Sequence, residues 1–277
     1  MTGEGNFSFA RVLATSLNDS GNCQDIDLIA TDLYKKNAND YDNDQQTDIF
    51  IVDELVRDNI RELNSLKVPV WLDVDCTQLE VNQNLERTLS SGKYSTLIVV
   101  FNFPHVKNVK MKIHLNRDLL EKTFKSMQAL FTKHSHLKAT VYMSLCYGQS
   151  GLNEVEPEER HRSWNDSWQL TEMAACGNFV LTNVTSFGVD LIDNLMGNSL
   201  HFLKSQFEHN LKQYSMMCSS ERMHCEKEAT EIMKKISFYQ PFGYRLRNQA
   251  FNNFQGGNVF QFELREDITQ RLQLAKE

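Results

Sequence analysis

The sequence predicts an α/β fold built on a mostly parallel, doubly wound sheet. Three observations lead there. Residues 93–106, KYSTLIVVFNFPHV, hold an apolar run with no polar alternation, the composition of a strand covered on both faces. Further short apolar runs recur at 26–31, 68–74, 137–145, 179–184 and 259–264. Between several of them lie stretches with apolar residues every three or four positions, the pattern of a helix laid on a sheet.

A chain of 277 residues is long enough for one large α/β domain with insertions. With 41% hydrophobic and 23% charged residues it falls among globular sequences. No apolar run reaches the roughly 18 to 20 residues needed to cross a bilayer, so no membrane partner is expected. The start, MTGEGNFSFARV, has neither a basic leading region nor a long apolar core and does not read as a secretory signal. Six cysteines without a CxxC pair fit reduced thiols in an intracellular protein. His224 and Cys225 lack a second ligand pair, so no metal is expected. The net charge of -7 argues against wholesale coating of nucleic acid, although an acidic average can hide a basic face.

In chain order, Gly3 and Gly5 precede a helix-like stretch marked by Phe7, Phe9, Val12, Leu13 and Leu17. This is either a plain turn or the turn between the first strand and first helix of a nucleotide-binding sheet. The second reading needs a strand ahead of it, where only Met1 and Thr2 stand, so the first strand is expected to be missing or truncated. Residues 26–31 (IDLIAT) form a strand with Asp32 at its end. An acid there accepts hydrogen bonds from the ribose of a nucleotide-like cofactor, or caps the next element. Residues 37–48 are a polar, acidic loop; Ile49, Val52, Val56, Ile60 and Leu63 then mark a helix. Strand 68–74 is followed by Asp75, Cys76 and Thr77, where a carboxylate holds an adenine amino group or closes an Asx turn.

The run at 93–106 stops abruptly at Asn102, Pro104 and His105. Ligands of parallel sheets sit beyond the carboxyl ends of the strands, which puts Asn102 to His105 at the expected site. The plainer alternative is a core strand closed by an X-Pro turn. Lys107, Lys110, Lys112, His114, Arg117, Lys122 and Lys125 follow closely, as a cationic wall for nucleic acid or as a solvated helix face; Arg245 and Arg247 are secondary candidates. Leu115, Leu119, Leu120, Phe124, Met127 and Phe131 mark a helix, 137–145 a strand, 168–175 a helix and 179–184 a strand. Two helices, 191–217 and 221–236, form an insertion over 189–236, and 259–264 is the last strand. Residues 1–277 thus read as a single domain carrying a helical insertion.

Taken together, GEGNFSFA, VDCT at 74–77, FNFPHV, HLNRDLLEKTFKS and NDSWQL resemble the uridine-N3 methyltransferase family of large-subunit ribosomal RNA. CYGQSG, HRSWNDSWQLTEMAACGNFVL and FGYRLRNQAF are similar to its animal branch, the ferredoxin-fold anticodon-binding domain-containing protein 1 type. The resemblance covers about residues 3–188 and 240–264. It implies a Rossmann-like class I methyltransferase fold, S-adenosylmethionine as cofactor, RNA as partner (ribosomal, with transfer RNA the other class in view), and a cytoplasmic or nucleolar setting. By the same resemblance Gly3, Glu4 and Gly5 approach the methionine and ribose of the cofactor, Asp32 the ribose, Asp75 with Cys76 the adenine, and Asn102 to His105 the target base. Lys107, Lys110, Lys112 and Arg117 are the expected RNA contacts.

The residue types suit that chemistry. Methylating the ring imide nitrogen of uridine requires its proton to leave while the methyl is held in line, so orientation and one proton acceptor matter more than a covalent nucleophile. The amide of Asn102 can pair with the imide edge, Phe103 can stack on the base, and Pro104 fixes the turn without a competing backbone donor. His105 is the nearest proton acceptor, or else a helix cap. Two rivals stay open. A nicotinamide dehydrogenase would share the GxG turn and the strand-end acid, but the third glycine of GxGxxG is absent. A non-catalytic module would keep the fold and bind RNA or protein.

Overall fold

The computed structural model describes residues 7–19, 26–32, 46–72, 74–106, 112–187 and 257–274. In chain order these form α1 (Ser8–Asp19), β1 (Ala30–Asp32), α2 (Gln46–Ser65), β2 (Val70–Leu72), a 3-10 turn (Cys76–Val81) and α3 (Gln83–Leu89). Then come β3 (Thr96–Asn102), α4 (Ile113–Lys133), β4 (Lys138–Cys146), α5 (Leu170–Cys176), β5 (Phe179–Ser186), β6 (Gly257–Leu264) and α6 (Arg265–Leu274). The strands and helices read from the sequence within the described residues are all observed, and the structure adds α3 and α6, which the sequence reading did not contain. The expected insertion at 189–236 and the Gly3–Gly5 turn lie outside the described residues.

β3 and β4 pair in parallel along their length, from Thr96 opposite Lys138 to Asn102 opposite Ser144. β-branched and aromatic side chains supply both strands, and β4 is buried from Ala139 to Leu145, as a strand covered on both faces must be. β6 runs antiparallel between β4 and β5, with an irregularity between Leu181 and Asn183. The parallel pattern therefore reverses once, at the strand most remote in sequence from its neighbours. β1 and β2 pair in parallel in a separate two-stranded sheet, so the described strands form two sheets, β2-β1 and β3-β4-β6-β5.

The main core lies where α4 and α5 cover the larger sheet. Phe124, Met127, Leu130 and Phe131 on α4 meet Val141, Met143, Phe179, Phe260 and Phe262. Phe124 packs edge-on to Phe262 at 5.1 Å and tilted to Phe179 at 5.5 Å. Each fully buried side chain of this size contributes about 1.5–3 kcal/mol relative to exposure.

α1 bridges the two sheets by carrying two apolar stripes. Phe9, Leu13 and Leu17, spaced by four, pack with Val100, Phe103, Tyr142 and Val259 of the larger sheet. Phe7, Ala10 and Ala14 face Ala30, Val56 and Leu63. The two alanines let α2 come close, and Arg11 Nη1 meets Glu62 Oε2 at 2.9 Å across the same contact.

Boundaries differ from the sequence reading: β1 is only Ala30–Asp32 and β2 only Val70–Leu72, against the expected 26–31 and 68–74. α5 starts at Leu170, two residues later than expected, because Trp168 is held in the core and its N–H donates to Gln149 O at 2.7 Å. Gln169 takes a left-handed conformation (φ 52°) to turn the chain into the helix.

Candidate functional site at the strand ends

Most of the described sequence candidates stand at or just beyond the carboxyl ends of their strands, Asp32 at β1, Asp75 and Cys76 after β2, and Asn102 to His105 at β3. Asp32 is the last residue of β1 and is buried, and its carbonyl accepts from Val74 N–H at 3.1 Å, which ties the two strand ends together. Asp75 caps the 3-10 turn, with Oδ1 accepting from Thr77 N–H at 2.9 Å and Thr77 Oγ1 at 2.7 Å. The Asx turn foreseen as one of its two roles is therefore formed. Both bonds fall on a single oxygen, Oδ1.

Cys76 points the other way. Its thiol accepts from Thr123 Oγ1 at 3.4 Å inside the core. Burial pushes that thiol up to about 11, with the nearby charges of Asp75 and Asp32 adding to the rise. A thiol so protonated is a poor nucleophile at neutral pH. Among the described residues no group of three or more His, Cys, Asp or Glu is placed to hold a metal.

At the end of β3 the chain makes a strained corner. Phe103 sits at φ 51°, the left-handed region, where a bulky residue is a genuine outlier. Packing holds it there: its N–H donates to Ser144 O at 2.9 Å, and its ring lies edge-on against Phe187 with centroids 4.7 Å apart. Phe9 of α1 belongs to the same buried cluster. The ring expected to stack on a base is thus 8% exposed and part of the core.

Asn102, 4% exposed, accepts from Ser144 Oγ through Oδ1 at 2.7 Å, while its Nδ2 is buried with no hydrogen-bond partner among the described residues. Pro104 is buried and His105 exposed. His105 Nδ1 lies 3.2 Å from Phe103 O. A carbonyl only accepts, so this contact is a hydrogen bond when Nδ1 carries a proton, and the Nδ1–H tautomer has its lone pair on Nε2. Val106 N–H donates to Asn116 Oδ1 at 2.9 Å, docking the corner on α4.

The cationic candidates divide. Lys107 and Lys110 lie outside the described residues, as do Gly3, Glu4, Gly5, Arg245 and Arg247. Arg117 is turned to the 165–167 loop: Nη2 donates to Asn165 O at 2.7 Å and Ser167 O at 2.6 Å, and Nε to Ser167 O at 3.0 Å. Lys122 and Lys125 pair with Asp118 and Glu121 one turn back on α4. Lys112 and His114 are exposed and make no ion pair among the described residues.

The sequence reading missed Ser144 and the loop after β4. A serine inside the apolar run ATVYMSL was the available signal for the first. In the loop, the Glu156 carboxylate accepts from Gly148 N–H and from Ser150 Oγ, and Asn258 Nδ2 donates to Val155 O at 2.9 Å. This loop stands at the carboxyl end of β4, beside the corner.

These residues fit a nucleoside-bearing cofactor. What stands at these strand ends is a buried carboxylate, Asp32, an Asx-turn carboxylate, Asp75, and at the end of β3 the buried amide of Asn102, polar groups of the kind a nucleoside can hydrogen-bond.

The BMT5-like family profile, described as rRNA (uridine-N3-)-methyltransferase BTM5-like, matches residues 1–192. The chain is 31% identical over 192 residues to the ferredoxin-fold anticodon-binding domain-containing protein 1 homolog of Mus musculus, covering 69% of this chain and 26% of that protein. It is 32% identical over 188 residues to the ferredoxin-fold anticodon-binding domain-containing protein 1 of Homo sapiens, covering 68% of this chain and 25% of that protein. The aligned part thus spans about a quarter of the length of these curated relatives. No solved structure gives a significant match. A profile that covers more than half of the sequence shows that this chain belongs to the BMT5-like family.

Proposed function

We propose that this chain forms the catalytic part of an S-adenosylmethionine-dependent RNA methyltransferase that modifies N3 of a uridine, with large-subunit ribosomal RNA as substrate. The family supports the reaction class, and the strand order with one antiparallel strand near the sheet edge supports a Rossmann-like methyltransferase fold. The observation that carries the reading is Asn102: a buried amide, locked by Ser144, with one donor unspent at the carboxyl end of β3.

When N3 of uridine loses its proton, negative charge spreads onto O2 and O4. The Nδ2 hydrogens of Asn102 donate to one of those oxygens, and because Ser144 fixes the amide beforehand, little reorganisation is needed as the charge develops. His105, with its proton held against Phe103 O, takes the N3 proton on Nε2, directly or through one water. Phe103 and Pro104 shape the corner; in this reading Phe103 fixes the backbone rather than stacking on the base. Asp32 would hold the cofactor ribose, Asp75 with Cys76 its adenine, and Gly3, Glu4 and Gly5 its methionine and ribose part. The bound cofactor supplies an electrophilic methyl group. The uridine is unpaired or swung out of its helix to reach the corner, at a cost of a few kcal/mol. Lys112, with Lys107 and Lys110, meets the phosphates, and a ribosomal RNA substrate goes with a nucleolar or cytoplasmic location.

A second reading is favoured by one observation: the curated relatives are named for an anticodon-binding domain and not for an activity. In it the fold binds RNA without transferring a methyl group. The test is incubation of the protein with methyl-labelled S-adenosylmethionine and unmodified large-subunit ribosomal RNA, followed by digestion to nucleosides. Label in 3-methyluridine, reduced about 100-fold or more by Asn102→Ala, supports the proposal. Cofactor and RNA binding with no labelled nucleoside supports the second reading.

A further inference from the structure

Two neighbouring residues near the amino end of α4 hold two different segments. Asn116 Oδ1 accepts from Val106 N–H and so docks the Asn102–His105 corner, while Arg117 donates to the carbonyls of Asn165 and Ser167. The loop after β4 is therefore fastened to the same helix end as the corner. It also starts one strand over, since Ser144 lies opposite Asn102 and β4 ends two residues later at Cys146. What this loop shows to solvent stands beside the corner.

Of the three tryptophans, Trp168 is buried and Trp71 half-buried, whereas Trp164 is 41% exposed. Its ring is nonetheless seated. A Cβ on Gly151, which takes φ 85°, would stand 3.0 Å from Trp164 Cε3, so the indole rests on bare backbone and offers the remainder to solvent. The turn beneath it is fixed: Trp164 O accepts from Ser167 Oγ at 2.9 Å, and Ser163 Oγ accepts from Asp166 N–H at 3.2 Å. Arg162 is placed in the same way, with Nε 2.8 Å from where a Cβ on Gly148 would be. Its positive charge acts on the Cys146 thiol at the strand end, opposing the rise that burial causes. Among the described residues the guanidinium groups of Arg160 and Arg162 make no ion pair.

The acids of the loop decide which contact it can make. The Glu156 carboxylate is spent on Gly148 N–H and Ser150 Oγ, and Asp166 accepts from Ser163 Oγ at 2.6 Å. Glu154, Glu158 and Glu159 stay exposed, so the loop has no surplus of positive charge with which to coat phosphates. An aromatic face needs none, because every nucleobase presents a π-face to it.

We propose that Trp164 is the platform on which an unpaired nucleobase flanking the target uridine stacks, with Arg162 meeting the phosphate beside that base. The inference rests on the reading of this fold as one that engages RNA. It supplies the aromatic face that Phe103, turned into the core, does not. Stacking joined to a guanidinium is how single strands are held, and a swung-out uridine leaves its neighbours without their stacking partner. Holding one of those neighbours on Trp164 offsets part of the cost of extruding the target. A duplex keeps its base faces against one another and gains nothing from the platform, so Trp164 selects looped or single-stranded RNA.

Fluorescence anisotropy with a short labelled single-stranded RNA carrying one central uridine, measured without cofactor, tests it. Trp164→Ala is expected to weaken binding about 10- to 100-fold, and Trp164→Phe by no more than about 3-fold. An abasic residue next to the uridine is expected to cost the unaltered chain the same factor as Trp164→Ala, and to cost Trp164→Ala nothing further. Arg162→Ala is expected to reduce the slope of log affinity against log salt by about 0.7, the value for one phosphate of a single strand. Trp164→Phe keeps a ring against Gly151, so a loss as large as that of Trp164→Ala overturns the stacking. The proposal is equally overturned if Trp164→Ala binds the strand as well as the unaltered chain does, the result expected where a protein partner covers this face instead. No binding of the strand by the unaltered chain overturns both this inference and the proposed function. Stacking intact without any 3-methyluridine formed removes the proposed function alone, and methyl transfer with binding indifferent to Trp164→Ala removes the inference alone.

Discussion

Ser144 grips Asn102 and its neighbour at two points: its Oγ donates to Asn102 Oδ1 at 2.7 Å, and its carbonyl receives Phe103 N–H at 2.9 Å. The pair lies directly opposite in the β3–β4 register. One side chain on the neighbouring strand therefore orients the amide, and one carbonyl stabilises the left-handed residue after it. Ser144→Ala should leave Asn102 Oδ1 buried without its bond, costing about 1–3 kcal/mol of stability. It should also lower kcat for methyl transfer roughly 10- to 100-fold with KM for RNA unchanged, since the amide loses its fixed orientation. A kcat equal to that of the unaltered protein removes Ser144 from the account.

The thiols at the strand ends should be inert. Burial pushes Cys146 up to about 12 and Cys76 up to about 11, whereas Cys176 is exposed. At pH 8 the thiolate fractions of Cys76 and Cys146 are then about one in a thousand and one in ten thousand, and only the thiolate reacts. Alkylation with iodoacetamide, mapped by peptide mass spectrometry, should modify Cys176 well before the other two. Rates for Cys76 matching those of Cys176 would show that the 3-10 turn opens.

Arg117 and Lys112, grouped together in the sequence as RNA contacts, should separate by salt dependence. Lys112→Ala should weaken RNA binding and reduce the slope of log affinity against log salt by about one. Arg117→Ala should lower the melting temperature, because it frees the carbonyls of Asn165 and Ser167, and should leave the salt slope unchanged. A reduced slope for Arg117→Ala would show that its guanidinium reaches phosphate.

Gly177 tests the packing that supports β5. A Cβ there would stand 2.6 Å from the backbone of Phe124 on α4, closer than real carbons come. Gly177→Ala should cost about 1–3 kcal/mol in urea denaturation with an unchanged m-value, because two packed elements must move apart. A midpoint equal to that of the unaltered protein would contradict the close α4–α5 approach.

Much of this architecture was legible in the sequence because it is local. The apolar run at 93–106 ends where β3 ends, at Asn102, and the spacing of Leu120, Phe124, Met127 and Phe131 marks the buried face of α4. The Asx turn at Asp75 is likewise written in adjacent residues. What sequence could not show depends on distant partners. Arg117 looked like a surface cation until its acceptors, 48 and 50 residues away, were seen. Phe103 looked like a stacking platform until Phe187 and α1 closed around it. The antiparallel direction of β6 and the division into two sheets are set by pairing between strands far apart in the chain, which periodicity does not encode.

The most direct measurement is nucleoside mass spectrometry of ribosomal RNA from cells with the gene, without it, and with the gene restored as Asn102→Ala. The account predicts that 3-methyluridine disappears with the gene, returns with the unaltered sequence and stays absent with Asn102→Ala. Unchanged 3-methyluridine in cells lacking the gene would contradict it.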